Sequence, residues 1–298
     1  MKKKTILLIG KNGQLAGALQ ANAENFGFAV MAYDRTEMDV TNWSQVAEKL
    51  ALVKPDILIN TSAYQVVQQC EENPLQAMAI NFLAVQNLAR VCKKENIIFV
   101  TYSSDYVFDG EKGGTYEESD TPNPLQIYGL SKLAGEHAAL SVYPEKSFVI
   151  RTSALYGGKN GSPEKGNFVL NITKEASEKE AMEVSSEQVV SPTYAGDLSE
   201  ATLRLLAERA DPGIYHLVNE GQCSWYEFTK EIFRLAEIKT KLSPIDRGGV
   251  SAKGGATVGK VRRPKFSVLK NTKAKKLGVV LPSWQEGLQS YFQFLNSI

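Results

Sequence analysis

The sequence predicts an α/β fold, a doubly wound parallel sheet carrying a smaller α+β lobe. Three observations lead to it. Short, nearly continuous apolar runs stand at Thr5–Ile9, Phe28–Tyr33, Asp56–Asn60, Ile97–Tyr102 and Phe148–Ile150, which is how strands buried on both faces read. Amphipathic stretches long enough for helices separate them, at Gln14–Glu24, Trp43–Leu52, Pro74–Lys94 and Ile127–Val142. Strands alternating with helices imply right-handed crossovers and parallel pairing. A glycine-rich turn follows the first run directly.

That turn reads Gly10-Lys-Asn-Gly13-Gln-Leu-Ala16-Gly17. A chain leaving a parallel strand here must turn tightly, admit a pyrophosphate to its backbone and aim the free N–H groups of a helix at the anion. Glycine serves the first two needs. The second run ends at Asp34-Arg35, where an acid can accept hydrogen bonds from an adenosine ribose. Asp34 favours NAD(H), Arg35 suits the 2′-phosphate of NADP(H), and the pair leaves both cofactors open.

The fourth run ends in Tyr102-Ser-Ser104-Asp105-Tyr-Val-Phe-Asp-Gly110, placing a hydroxyl and a carboxylate at the carboxyl edge, where doubly wound sheets hold their ligands. Tyr128 and Lys132 open the following helical stretch. Four residues make one turn, so the phenol and the ammonium share a face. An adjacent cation stabilises a phenolate, which predicts a phenol pKa lowered from about 10. Such a tyrosine can exchange a proton with a carbonyl or carbinol while hydride passes to or from nicotinamide.

After about Arg151 the rhythm weakens. Glycines, prolines and charges dominate 157–166 and 247–264, while helical stretches recur near Ala195–Arg209 and Ser224–Ala236. The expected division is a dinucleotide-binding part over residues 1–152, to which 194–222 returns, and a substrate-binding lobe over 153–193 and 223–298.

Bulk properties narrow the function classes. A chain of 298 residues, 43% hydrophobic, can bury a full core. Its formal charge of +1 supplies no summed field to hold nucleic acid or an anionic membrane. The apolar run after Met1-Lys-Lys-Lys4 stops at Gly10, too short for a signal sequence, and no stretch is long enough to span a bilayer. Cys70, Cys92 and Cys223 are odd in number and far apart, fitting neither a disulfide framework nor a zinc site, so a reducing cytoplasm is expected. With only His137 and His216 present, no metal centre is expected. The oligomeric state stays open, a homodimer included.

Nearly end to end, the chain resembles the dTDP-4-dehydrorhamnose reductase family of extended short-chain dehydrogenases. The resemblance rests on Gly13-Gln-Leu15, Ser104-Asp-Tyr-Val-Phe-Asp-Gly110, Pro122 to Glu136, Arg151-Thr-Ser153, Ser191-Pro-Thr193, Gly213-Ile-Tyr-His-Leu217, Ser224-Trp-Tyr-Glu-Phe228, Arg263-Pro264 and Pro282-Ser-Trp284. It implies that Ser104, Tyr128 and Lys132 are the catalytic triad, Ser104 standing where the family usually has threonine. It also implies that Gly13-Gln14-Leu15, Asp34, Asp39-Val40, Ala63-Tyr64-Gln65 and Lys132 hold NADP or NAD, beside Gly10, Arg35 and Tyr128 read from their own segments, and that Ser104 and Asp105 touch the sugar. Arg263 is the candidate for the substrate diphosphate. Two positions depart from the family pattern: Gln68 replaces an acid, and Ala154 stands at the sugar wall where tryptophan is usual. The implied reaction is reduction of the 4-keto group of a nucleotide-linked 6-deoxy sugar, dTDP-4-dehydrorhamnose to dTDP-rhamnose, for cell-surface polysaccharide. Two alternatives are kept: a non-catalytic NADP-binding subunit similar to the methionine adenosyltransferase β subunit, and a nucleotide-sugar epimerase.

Overall fold

A computed structural model describes residues 3–159, 166–246 and 261–298. The first part contains β1 (Lys4–Ile9), α1 (Gln14–Asn22), β2 (Phe28–Tyr33), α2 (Trp43–Val53) and β3 (Ile57–Asn60). Next come α3 (Val67–Glu72), α4 (Pro74–Met78), a π-helical turn at Ala79–Ala84 and α5 (Val85–Lys94), in place of the single helix predicted over Pro74–Lys94. β4 (Ile98–Ser104), α6 (Ile127–Val142) and β5 (Ser147–Thr152) complete it. Beyond lie β6 (Leu155–Tyr156), α7 (Phe168–Ser177), β7 (Ala181–Ser185), β8 (Val189–Val190), β9 (Thr193–Tyr194) and α8 (Ala195–Ala207). The chain ends with β10 (Gly213–His216), β11 (Cys223–Ser224), α9 (Trp225–Leu235), β12 (Lys241–Ile245), α10 (Thr272–Lys276) and α11 (Trp284–Asn296). Most of the glycine- and charge-rich stretches noted at 157–166 and 247–264 lie outside the described residues.

Six strands pair in parallel in the order β2-β1-β3-β4-β5-β10. The chain runs outward from β1 to β2, then continues on the other side with β3. The crevice at that reversal is where open α/β sheets hold ligands. Alternate side chains feed two cores. Ile6, Leu8, Ile57, Ile59, Val100 and Ile150 pack with α1 and α8 on one face. Leu7, Ile9, Leu58, Phe99 and Val149 pack with α2, α5 and α6 on the other. A separate core, including Tyr156, Val169, Ile172, Phe228, Trp284 and Tyr291, joins α7, α9 and α11, with β7 and β12 as a parallel pair beside it. Among the described residues no helix is long and apolar enough to cross a membrane.

Two close approaches fix α6. A Cβ on Gly129 would lie 2.0 Å from the Tyr106 carbonyl oxygen, and one on Gly135 would lie 2.2 Å from that of Asn81. Glycine alone lets this helix settle so near two other backbones.

Candidate active site

The turn leaving β1 is built for its position. Gly10 has φ +91°, a Cβ there would meet Thr61 Oγ1 at 2.8 Å, and Gly10 and Lys11 both donate their N–H to Tyr33 O, at 2.9 and 3.1 Å. Gly13 caps α1 without any side-chain bond, so the first N–H groups of the helix face the crevice. Gly13, Gln14, Leu15, Ala63, Gln65, Ser104, Asp105, Tyr128, Lys132 and Ala154 line a single cleft of about 470 Å³. Its wall carries buried polar atoms with no partner, Gln14 Oε1, Ser103 Oγ and Thr152 Oγ1. Helix N–H groups and unmet polar atoms along one cleft fit a dinucleotide.

The remaining predicted positions lie off this wall. Asp34 faces its own turn, accepting from Thr36 N and Oγ1 at 2.9 and 2.7 Å and from Glu37 N at 3.2 Å, bonds that hold its carboxyl below the usual range. Arg35 is exposed and pairs with Asp39 at 3.4 Å. Val40 is a core residue. Tyr64 is held through its backbone by Asn81, whose side chain accepts from Tyr64 N and donates to Tyr64 O, both at 2.9 Å. Arg263 lines an adjoining cavity that shares Phe168, Asn171 and Trp225 with the cleft, and its Nε is buried without a partner.

Around Tyr128 the helix start is held from three sides. Gln126 Oε1 accepts from Gly129 N at 2.8 Å, Glu71 of α3 accepts from Ile127 N at 2.7 Å, and Ser131 Oγ donates to Tyr128 O at 2.8 Å. The Tyr106 ring meets the Tyr128 ring edge-on, centroids 6.0 Å apart. The sequence predicts a phenol lowered by its neighbouring ammonium; the structure has the reverse. Loss of water pushes the Tyr128 phenol well above its ordinary value, a hydrogen bond with Ser104 opposes this, and the Asp105 charge adds to it. Burial likewise pushes the Lys132 ammonium down to about 8, against the pull of Glu136.

Glu136, one turn beyond Lys132, forms a buried two-pronged pair with Arg151 of β5: Nε to Oε1 at 2.9 Å and Nη2 to Oε2 at 2.6 Å. Arg151 also lies 5.1 Å over the Phe108 ring. Burial and the Arg151 charge push His216 down to about 3, so it is a neutral strand residue of β10.

The sequence reading missed Asn81, Glu71 and the Glu136–Arg151 pair. Asn81 sits on the π-helical turn, is 1% exposed, and joins the Tyr64 backbone to Ser131 of α6 at 2.9 Å. Its signal was present: an asparagine inside an apolar helical stretch must find partners when buried, and π-turns concentrate at functional sites.

Comparison with known proteins identifies the family. The family model described as the RmlD substrate binding domain matches residues 3–297. The spore coat polysaccharide biosynthesis protein SpsK of Bacillus subtilis is 34% identical over 98% of both chains. A dTDP-4-dehydrorhamnose reductase of Aggregatibacter actinomycetemcomitans is 34% identical over 96% of this chain and 97% of its own. The crystal structure of dTDP-4-dehydrorhamnose reductase from Bacillus anthracis in complex with NADP superposes with a TM-score of 0.88 at 34% identity, covering 97% of this chain and 99% of that one. The chain belongs to the RmlD substrate binding domain family, on the extended short-chain dehydrogenase fold.

Proposed function

We propose that the chain is an NAD(P)H-dependent reductase of a nucleotide-linked 4-keto-6-deoxy sugar, converting dTDP-4-dehydrorhamnose to dTDP-rhamnose for cell-surface polysaccharide. The observation that carries this reading is that Ser104, Tyr128 and Lys132 line one cleft with the Gly13–Leu15 helix start. The dTDP-4-dehydrorhamnose reductase relatives point by name to the same reaction, and SpsK by name to polysaccharide synthesis.

In this reading the Gly10–Leu15 turn takes the pyrophosphate on helix N–H groups. Asp34-Arg35 and Asp39-Val40 meet the adenosine end, and Ala63–Gln65 with Lys132 meet the nicotinamide ribose. Reduced nicotinamide, when bound, supplies the hydride. Tyr128 gives its proton to the sugar oxygen as the new C–H bond forms, so carbonyl, hydride and proton become an alcohol. Burial keeps Tyr128 protonated at neutral pH, the state an acid needs in the reductive direction. As the phenolate develops, the Lys132 ammonium one turn away stabilises it. Ser104, Asp105 and Ala154 border the sugar, and Arg263 grips two diphosphate oxygens in parallel.

Residues 1–152 with 194–222 then serve as the cofactor part, and 153–193 with 223–298 as the substrate lobe. A cytoplasmic location and a homodimer complete the reading. Leu75 on α4, Leu83 on the π-turn and Leu130 on α6 are exposed, on three elements that pack together, and light scattering tests the dimer. The function is tested by mixing purified protein with a panel of nucleotide-linked 4-keto-6-deoxy sugars and following NAD(P)H absorbance. A reductase consumes the cofactor in step with the sugar. An epimerase consumes none while changing the sugar, and a binding subunit shows no turnover.

A further inference from the structure

Asp105, directly after β4, is 3% exposed, and among the described residues no cation pairs with it. Three hydroxyls hold it instead, each from a different segment. Ser104 Oγ donates to Oδ1 at 2.9 Å, while Ser153 Oγ and Ser267 Oγ donate to Oδ2 at 2.9 and 2.6 Å. Ser153 follows β5. Ser267 is fully buried four residues past Arg263, in a segment that pairs with Val189, Ser267 N to Val189 O at 3.0 Å. Ser104 has one proton. Because it goes to Asp105, the oxygen of Ser104 is left to accept, as it does from Tyr106 N at 3.2 Å, and the hydroxyl stands beside the Tyr128 phenol.

We propose that Ser153 and Ser267 are positioning residues that act through Asp105 to fix the direction of the Ser104 hydroxyl beside Tyr128. The inference rests on the reductase reading and deepens it. Through Ser267, the segment that carries Arg263 also sets the geometry of the catalytic hydroxyl.

An ionised carboxylate only accepts, so all three hydroxyls can point at it. A protonated one must donate, and at least one of the three has to turn away. Burial pushes the Asp105 carboxyl up, and the serines hold it back. The titratable and charged groups that face it are Tyr106 on its own turn and Tyr128 on α6, with Arg263 beside Tyr106 and Lys132 one helical turn along from Tyr128. On this proposal the acid limb of the turnover profile follows the protonation of Asp105, because that is the step that turns one of its three hydroxyl donors away.

The test compares wild type, Ser267→Ala and Ser267→Thr, with Ser153→Ala removing the other donor to the same oxygen. Two quantities are read. One is the pH dependence of kcat with saturating NADPH and dTDP-keto-sugar. The other is the titration of the Asp105 carboxyl carbon by carbon-13 NMR, assigned with Asp105→Asn. Losing a donor to the carboxylate should move both upward by about one pH unit. In Ser267→Ala, kcat at neutral pH should fall while KM holds, and Ser267→Thr should keep the wild-type profile. If Ser267→Ala does not fold, Ser153→Ala must show the same upward movement. A lower kcat with the limb and the titration both unmoved overturns the proposal. A wild-type protein that oxidises no NAD(P)H with any keto-sugar nucleotide contradicts the reductase reading instead.

Discussion

Replacing Gly129 with alanine tests how α6 sets the site. The new Cβ would stand 2.0 Å from Tyr106 O, 2.6 Å from Gln126 Oε1 and 2.9 Å from the Tyr106 carbonyl carbon. The Gln126 side chain can rotate away, but the Tyr106 carbonyl is backbone and cannot. Carbon and oxygen in close contact rest about 3.3 Å apart, so the helix start or the turn must retreat by about 1.3 Å. Tyr128 precedes Gly129 and moves with it. A misplacement of about 1 Å at a reacting group costs on the order of 10²-fold in rate. Overpacking of this kind costs roughly 1–3 kcal/mol, or several degrees of Tm. The assay is kcat at saturating NADPH alongside calorimetric Tm, with Gly17→Ala as the control. Gly17 has nothing within 4 Å of its Cβ position and lies mid-helix, so that change should leave turnover intact and stabilise by about 0.4–1 kcal/mol. A Gly129→Ala protein with wild-type turnover and Tm would refute the reasoning.

Other perturbations follow from single contacts. Gly13→Val should abolish detectable NADH and NADPH binding in calorimetric titration while the protein stays folded; unchanged affinity for both would reduce the turn to a structural one. Glu136→Ala leaves the Arg151 guanidinium buried and unpaired, and chemical denaturation should show a loss of about 3–5 kcal/mol, with much of it recovered in a Glu136→Leu, Arg151→Met double variant. Arg263→Ala should raise the KM for the sugar nucleotide and leave that for NADPH alone. Asp197 is pushed up to about 6 by burial, against about 3.9 in an unfolded chain. The folded state therefore holds the extra proton between those values, and this group's contribution to stability falls as pH rises from about 4 to about 6. Asp197→Asn should raise Tm at pH 7.5 and change it little at pH 4.

The parallel sheet was legible because β1, β3, β4 and β5 are buried on both faces, and an unbroken apolar run such as Ile6–Ile9, closed by a glycine, is too short for a helix and too apolar for a surface loop. The lobe was less legible. β7 reads Ala-Met-Glu-Val-Ser and β12 Lys-Leu-Ser-Pro-Ile, five residues each, and they pair across a long stretch of chain. Local pattern does not reveal such a partner. In the cleft, the phenol, the ammonium and the glycine turn were legible because each follows a recognisable element boundary. Glu71 and Ser267 were not, since each acts by reaching a segment distant in sequence; Asn81 is marked only as a polar residue in an apolar helical stretch, and its partners lie on other segments of the chain. The Tyr128 shift runs against the expectation because helical spacing reports the neighbouring charge, while loss of water depends on residues brought together from elsewhere in the chain.

The central claim is that Tyr128 donates the proton, and Tyr128→Phe tests it most directly. This change removes one oxygen and keeps the ring that packs against Tyr106. Measured by NADPH oxidation with dTDP-4-dehydrorhamnose, kcat should fall by about 10²–10⁴-fold, the range of general acid catalysis, with NADPH affinity nearly unchanged. A Tyr128→Phe protein that oxidises NADPH at the wild-type rate with this sugar nucleotide would contradict the account.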